Sequence, residues 1–342
     1  MRSAAPLRAV LAFVALIGVL ALATAFVGCT GSGSPSATVS VQLVTPVGGA
    51  ASPTVLVSGS TGSPSASATP TPTSTPAPPP SLVLSTIQVY QAGAILASVV
   101  GDVTSGSINF IGRNYPLTKG SRSMYAFIGV DAADPVGPED VKVLFTTSNG
   151  STGTLTQSVT VLQTTWDVDV DNLTFDPETA KLLDPKLVNA EEATLNAVYG
   201  KITPEKLWSG AWEMPVQGPI TAHFGEQRSY QGGPPTGHHS GTDIGVDAGT
   251  PVHAANSGRV VLAQMLSERG NMVIIDHGGG LFSGYAHMSE FKVKVGDMVH
   301  TGDVIGLAGS TGLATGPHVH WEMSSDGVLL DALRFSDGSN GF

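Results

Sequence analysis

The hydrophobic positions of this chain form one long apolar run near the start and many short runs later. The long run extends from Ala9 to Gly28. Two arginines precede it, and Cys29, the only cysteine of the chain, follows it. A basic start before an apolar stretch is typical of an export signal, and about 20 apolar residues can also span a bilayer. The pattern predicts a signal or anchor at residues 1–29, with three alternatives: lipidation of Cys29, an uncleaved membrane helix, or an ordinary secretory signal.

Residues 30–80 are predicted to be a disordered linker. They consist mostly of Ser, Thr, Gly, Ala, Val and Pro and carry no charge. Such a composition buries too little apolar surface to offset the entropy lost on folding. Its proline-rich end favours an extended chain, so the segment could tether the rest of the protein at a distance from a membrane.

Short runs of β-branched and aromatic residues, separated by turn residues, dominate residues 81–175. These runs predict strands, and Asn149-Gly150 is a strong hairpin signal between two of them. Regular short strands of this kind are typical of a small β-sandwich of the immunoglobulin type. We expect a structural role for this domain because no group of its residues has catalytic chemistry.

Residues 176–207 break the β pattern and predict a helical connector. Asp184-Pro185 is a typical helix start, and Gly200 is a stop signal. Strand-like runs with Gly and Asp turns resume over residues 208–342. The chain is therefore predicted to be mainly β, with a helical connector between a β-sandwich and a second β domain.

Composition and charge exclude some functions. The 342 residues, 41 % of them hydrophobic, suffice for about two folded domains after the tail is removed. The net charge of −11 argues against a nucleic-acid-binding protein, which would present a basic patch. One cysteine permits no internal disulfide, and the sequence does not reveal an oligomeric state.

All nine histidines lie in the last predicted domain. Histidine is the commonest metal ligand and also moves protons near neutral pH. His318 and His320 are two apart in an extended run, so both side chains should point to one side of a strand. Two His and one Asp can hold zinc and leave a position for water, while two further His handle protons. This cluster predicts a metal-assisted hydrolytic site.

Six segments, in this order, resemble peptidase family M23, the lysostaphin-like zinc endopeptidases that cut stem or cross-link peptides of bacterial peptidoglycan. They are 237–245 (GHHSGTDIG), 257–261 (SGRVV), 275–278 (IDHG), 284–289 (GYAHMS), 295–306 (VGDMVHTGDVIG) and 316–322 (GPHVHWE). The resemblance implies a mostly antiparallel, barrel-sandwich-like β-sheet domain at 208–342 with a groove above one sheet.

The resemblance also implies the site residues. His239, Asp243 and His320 would bind one zinc ion per chain, and His287 and His318 would form the catalytic pair. Which of the two is the general base stays open. Because a ligating His usually donates its other N–H to an acceptor, Asp276 and Glu322 are candidate acceptors.

The implied function is an exported enzyme of the cell envelope, held at the membrane by its N-terminal segment or a lipidated Cys29. Its implied partners are peptidoglycan peptides and the membrane, and no nucleic acid. The alternative is a non-enzymatic M23-like module that binds the wall or activates another hydrolase. Degenerate relatives of that type lack some ligands, whereas none of the five residues is missing here.

Overall fold

The computed structural model describes residues 78–166, 170–235 and 237–342, all within one compact unit. The export signal at 1–29 and residues 30–77 of the predicted linker lie outside the described residues. Strands make up most of the regular structure, so the prediction of a mainly β protein is confirmed. No helix in the described part of the chain has the length and apolarity needed to cross a bilayer.

Residues 81–162 form two sheets with nine strands. The strands are β1 (Ser81–Leu84), β2 (Gln88–Tyr90), β3 (Ala94–Val100), β4 (Ser105–Phe110), β5 (Arg113–Pro116), β6 (Thr118–Lys119), β7 (Met124–Gly129), β8 (Gly137–Thr146) and β9 (Thr152–Leu162). One sheet has the order β1-β3-β7-β6 and the other β2-β9-β8-β4-β5. Within these two sheets, only β2 and β9 pair in parallel. The β8–β9 hairpin encloses the predicted Asn149-Gly150 turn.

Strand β7 is buried on both faces, which explains its unbroken apolar sequence. Ala126 and Ile128 face the core enclosed by the two sheets. Tyr125 and Phe127 face the opposite way, into the core of the C-terminal domain. The sandwich and the C-terminal domain therefore share an apolar boundary, with the Phe127 ring 5.5 Å from that of Trp208.

Three short elements follow the sandwich. They are β10 (Val170–Leu173), a 3-10 helix (Thr179–Leu183) and α1 (Pro185–Tyr199). Helix α1 begins where the sequence predicts a start, because the Asp184 side chain accepts a hydrogen bond from Lys186 N over 2.8 Å. Proline at the first helical position loses no hydrogen bond there, and the helix ends before Gly200.

The C-terminal domain contains thirteen strands and one short helix. They are β11 (Ile220–Ala222), β12 (Gln227–Tyr230), β13 (Gly237–His238), β14 (Thr242–Gly245), β15 (Pro251–His253), β16 (Gly258–Met265), β17 (Asn271–Gly278), β18 (Leu281–Met288), β19 (Glu290–Phe291), β20 (Met298–Val299), β21 (Val304–Leu307), β22 (His318–Ser325), β23 (Val328–Leu330) and α2 (Leu333–Ser336). The main sheet is antiparallel, with the order β11-β14-β22-β18-β17-β16-β20 and β23 beside β22.

Two smaller sheets complete this domain. Strands β15, β21 and β19 form one of them, and Val252 and Ile305 from that sheet pack with Trp321 of the main sheet. The other contains β10, β12 and β13, with β10 parallel to β12. The segment between the two domains thus contributes a strand to the C-terminal domain.

The α1 helix is more than a connector between domains. Leu195 and Val198 pack against Leu262 and Phe282 on the main sheet. The sequence predicts the helix but not this contact, since the pattern of a weakly amphipathic helix does not show which surface the helix will pack against.

Candidate metal centre

Three side chains predicted to bind a metal converge in the structure. His239 Nε2 lies 2.9 Å from His320 Nδ1 and 3.0 Å from Asp243 Oδ1. The same Asp243 oxygen lies 2.9 Å from His320 Nδ1. All three residues are buried, and among the described residues they form the one group able to surround a single ion.

Paired strands bring these side chains together. Asp243 in β14 lies opposite His320 in β22, so a single register aligns two members of the group. His239 comes just before β14, and its backbone N–H donates to Glu226 O over 2.8 Å. This backbone contact fixes the third member beside the other two.

Gly241 lets the chain between His239 and Asp243 approach strand β22 closely. A Cβ at this position would lie 2.5 Å from Trp321 O and 2.8 Å from His320 Nε2. Carbon atoms do not approach other heavy atoms so closely, so a side chain here would push the two strands apart. The glycine within this spacing is therefore a steric requirement of the site.

Hydrogen bonds show which nitrogen of each predicted ligand ring is free. His239 Nδ1 donates to His223 O over 2.9 Å, and His320 Nε2 donates to Glu322 Oε2 over 3.2 Å. With both rings neutral, His239 Nε2 and His320 Nδ1 are lone-pair donors that face the Asp243 carboxylate with no proton between them. Two imidazoles and a carboxylate arranged in this way fit a divalent cation such as zinc.

The pKa values of the two rings shift in opposite directions. Burial lowers the pKa of His239 to about 4, so this ring is neutral at neutral pH. Burial also lowers the pKa of His320, but hydrogen bonds to Asp243 and Glu322 outweigh it and raise the pKa above its usual value. A proton and a metal ion therefore compete for His320 Nδ1.

A bulge in β18 turns His287 toward this group. Asn271 of β17 pairs with Met288. Val273, two residues after Asn271 in β17, pairs with Tyr285, which is three residues before Met288 in β18. The extra residue reverses the alternation of side chains, and His287 adopts a left-handed φ of 60°. Without the bulge, His287 would share the core-facing side with Tyr285.

The two predicted catalytic histidines lie side by side, with ring centroids 4.6 Å apart. His287 Nδ1 donates to Thr311 O and His318 Nδ1 to Gly316 O, both over 2.8 Å. Each Nε2 therefore carries a free lone pair, and that of His318 lies 3.7 Å from Asp243 Oδ1. Burial lowers the pKa of His287 to about 3 and also lowers that of His318, so both rings are neutral proton acceptors.

Residues 237–332, which include all five predicted site residues, match peptidase family M23. The C-terminal domain of this chain belongs to that family. M23 is a family of zinc metallopeptidases, so the prediction of zinc is confirmed by family membership together with the His–Asp–His group.

Several relatives share this M23 domain. The peptidoglycan DD-endopeptidase ShyA of Vibrio cholerae is 36 % identical over 115 residues, which are 34 % of this chain and 27 % of ShyA. The glycyl-glycine endopeptidase ALE-1 of Staphylococcus capitis is 41 % identical over 88 residues, 25 % of this chain and 24 % of ALE-1. The chain thus spans about a quarter of the length of these curated relatives.

A solved structure extends the likeness beyond the M23 domain. A crystal structure from Pseudomonas aeruginosa, described as a peptidase of family M23, is 28 % identical with a TM-score of 0.53. The match covers 72 % of this chain and 94 % of that one, so it includes residues well outside 237–332.

Arg228, which lies outside the residues matched to family M23, orients the carboxylate of Asp243. Arg228 Nη2 donates to Asp243 Oδ2 over 2.9 Å, which leaves Oδ1 directed at the two histidines. The Asp171 carboxylate, from β10, lies 3.7 Å from Arg228 Nε. The sequence assigns no role to Arg228, because a buried arginine has no local signal that distinguishes it from a surface one.

Asp276 and Glu322 were the two predicted hydrogen-bond acceptors for the ligating histidines, and of these Glu322 lies in the site. Glu322 accepts from His320 and also from Arg269 Nε over 3.1 Å. Asp276 lies elsewhere, where its carboxylate accepts from Thr203 and from Gly278 N. The sequence does not distinguish Asp276 from Glu322, since both lie on strands of the same domain.

A cleft of about 180 Å³ opens beside Asp243 and His318 of the M23 domain. Its other lining residues include Asp171, Leu173, Arg228, Leu313 and Thr315. A more open hollow of about 560 Å³ lies nearby, but its lining contains none of the five site residues. The smaller cleft therefore borders two of the five predicted site residues, and β10 forms part of its wall.

Proposed function

We propose that this chain is a zinc-dependent endopeptidase that hydrolyses stem or cross-link peptides of bacterial peptidoglycan. The observation that carries the proposal is the convergence of His239, Asp243 and His320 beside two neutral histidines. The name of the relative ShyA, a peptidoglycan DD-endopeptidase, supports this substrate class.

The roles we assign follow from the chemistry of each side chain. His239, Asp243 and His320 would hold one zinc ion, which supplies a Lewis acid and lowers the pKa of water toward about 7. His287 and His318 present free Nε2 atoms, so either ring can accept the proton of the attacking water. The same pair then donates a hydrogen bond to the developing oxyanion and a proton to the leaving amine.

Residues Arg228 and Glu322 complete the proposed centre. Arg228 holds the second oxygen of Asp243, and Glu322 holds the second nitrogen of His320. Such partners fix the orientation of a ligand and raise its basicity. They would keep the three ligand atoms in place during turnover.

We further propose that the protein acts outside the cytoplasm, at the cell envelope, and is retained at the membrane through residues 1–29. This proposal rests on the basic and apolar pattern before Cys29. Membrane fractionation of wild type and Cys29→Ser, with a labelled fatty acid, tests it. A variant that loses both the label and its retention at the membrane indicates a lipid anchor. A variant that stays at the membrane without label indicates an uncleaved helix. Release of the wild-type protein would contradict anchoring.

The activity is tested by digesting purified peptidoglycan with the full-length protein and identifying the released peptides by mass. We expect one zinc ion per chain and one defined cleaved bond, and the masses identify that bond. His320→Ala should lose bound zinc and hydrolysis together. Full activity in this variant would overturn the assignment.

The non-enzymatic alternative predicts a different result from the same samples. A folded wild-type protein that binds peptidoglycan but releases no peptide, with or without added zinc, would favour a wall-binding module. The complete set of five site residues is the reason that we place the enzyme first.

A further inference from the structure

Helix α1 covers the face of the main sheet that carries the metal centre, although it lies outside the residues matched to family M23. Its buried residues are Glu191, Leu195, Val198 and Tyr199. A helix that served only as a cover would bury apolar side chains alone, since each buried polar group costs free energy unless it is hydrogen-bonded. The two polar members of this set therefore need an explanation.

The first polar member, Tyr199, contacts the partner of a proposed metal ligand. Its hydroxyl donates to Glu322 Oε1 over 2.5 Å, while Glu322 Oε2 accepts from His320 Nε2. Burial and the neighbouring Glu322 raise the pKa of Tyr199, so the hydroxyl keeps its proton and remains a donor. Glu322 is fully buried and is thus held from both sides, by the helix and by the ligand.

The space around this contact is closely fitted. A Cβ at Gly284 would lie 2.8 Å from Glu322 Cγ and 2.9 Å from the Tyr199 hydroxyl oxygen. Glu322 therefore has little freedom to move toward β18, and the hydroxyl of Tyr199 selects one of its orientations.

The second polar member, Glu191, holds the turn that supports His287. Its carboxylate accepts from the backbone N–H of Glu268 over 2.7 Å and of Arg269 over 3.2 Å. It also accepts from Arg269 Nη1 over 3.1 Å. The carbonyl of Arg269 in turn accepts from His287 N over 2.9 Å, at the residue with the left-handed φ. Glu191 thus acts on the backbone that aims the His287 ring.

We propose that Tyr199 and Glu191 are positioning residues of the metal centre, Tyr199 for His320 through Glu322 and Glu191 for His287 through the 268–270 turn. This inference rests on the proposed function. It makes α1 an essential part of the peptidase and extends the working unit upstream of the matched residues. Tyr199 contacts Glu322 directly, whereas Glu191 contacts the turn directly and reaches Glu322 only through Arg269. Their loss therefore has different consequences.

The Tyr199 contact is tested by zinc affinity in the full chain. Tyr199→Phe removes one hydroxyl and keeps the ring that packs on Phe282. We expect the dissociation constant for zinc, measured by competition with a chelator, to rise about tenfold. The visible spectrum of the cobalt-substituted protein should also shift, because the orientation of His320 changes.

Tyr115→Phe is the matched control for this variant. Tyr115 is equally buried, and its hydroxyl donates to Gly129 O over 2.9 Å within the sandwich, away from the metal centre. This control should keep the wild-type zinc affinity and cobalt spectrum. Equal affinities and spectra in the two variants would overturn the role of Tyr199.

The Glu191 contact is tested by kinetics, with Glu192→Gln on the exposed side of the same helix as control. Glu191→Gln places an amide N–H₂ against backbone N–H groups, so the turn that supports His287 should shift. We expect kcat to fall about tenfold with KM unchanged, and the loss of zinc affinity to be smaller than in Tyr199→Phe, because Glu191 reaches Glu322 only through Arg269. An equal kcat in the two variants would overturn this role.

The outcomes separate this inference from the proposed function. Wild-type protein that binds no zinc would overturn both proposals. Wild-type protein that binds zinc, with Tyr199→Phe indistinguishable from Tyr115→Phe, would overturn only the role of Tyr199.

Discussion

Arg228 donates to Asp243 Oδ2 over 2.9 Å, on the oxygen that does not face the two histidines. The Arg228 side chain is 13 % exposed, and its planar guanidinium lies beside a buried carboxylate. This contact determines which Asp243 oxygen is available to a metal ion. It also places a positive charge beside the Asp243 carboxylate, in a position that a shorter or differently shaped side chain does not reach.

Replacing Arg228 with Lys should weaken zinc binding about 10–100-fold, the usual effect of losing a partner of a metal ligand. Lysine keeps the charge but not the planar guanidinium that reaches Oδ2. The measurement is a zinc titration against a chelator. Arg113→Lys is the control, because Arg113 holds Asp134 in the sandwich in a similar way. Equal zinc affinity in the two variants would contradict the role of Arg228.

Gly241→Ala should remove zinc binding and activity together. The added Cβ would lie 2.5 Å from Trp321 O, so strand β22 must move away from β14. Gly237→Ala is a control in the same segment, since a Cβ there meets no atom of the described residues within 4 Å. Zinc content and peptide release should be normal in the control. Normal zinc content in Gly241→Ala would show that the strands tolerate the separation.

His287→Ala and His318→Ala should each keep zinc and lose about 10²–10⁴ in kcat, the usual contribution of general acid–base catalysis. Residues that act as a unit have non-additive effects. The double variant should therefore lose little more than the more damaging single variant. Steady-state rates of the three variants check this. Multiplied losses in the double variant would indicate that the two rings act independently.

His277 should make the protein less stable in acid. This histidine is buried between Ser257 O and Ser283 Oγ, and burial lowers its pKa to about 4. Its pKa in the unfolded chain is about 6.5, so the unfolded state binds more protons between these values. The stability contributed by neutral His277 is present at neutral pH and is lost as pH falls from about 6.5 toward about 4.

Chemical denaturation from pH 7 to pH 4 tests the role of His277. His277→Gln keeps two polar atoms without a group that titrates in this range, so its unfolding free energy should fall less steeply than that of wild type. Parallel curves for the two proteins would show that other groups cause the acid sensitivity.

The elements with strong local signals were predictable from the sequence. Asp184-Pro185 begins α1 because the capping side chain and the fixed φ of proline act within one turn. Asn149-Gly150 closes the β8–β9 hairpin because Gly150 adopts a φ of 83°. The pairing of His318 and His320 on one strand face follows from the two-residue period of a strand.

The features that depend on tertiary contacts were not predictable. The bulge that reorients His287 is set by the register of β17 against β18, and a single strand does not encode its own register. The contacts of Arg228 and Tyr199 join residues that are distant in the sequence, so neither has a local signature. The family resemblance identified the candidate site residues, whereas the side chains that support them required the structure.

The shared boundary between the sandwich and the C-terminal domain has a consequence for folding. Ala94 N donates to Asn340 Oδ1 over 2.9 Å, across 246 residues of sequence, and Ser325 Oγ donates to Phe127 O across 198 residues. Contacts between such distant residues form late and slow the search for the native state. Phe127 and its neighbours on β7 stay in contact with water until the C-terminal strands arrive. A newly made copy is therefore most vulnerable to aggregation and to proteases in that interval, before any catalytic group is in place.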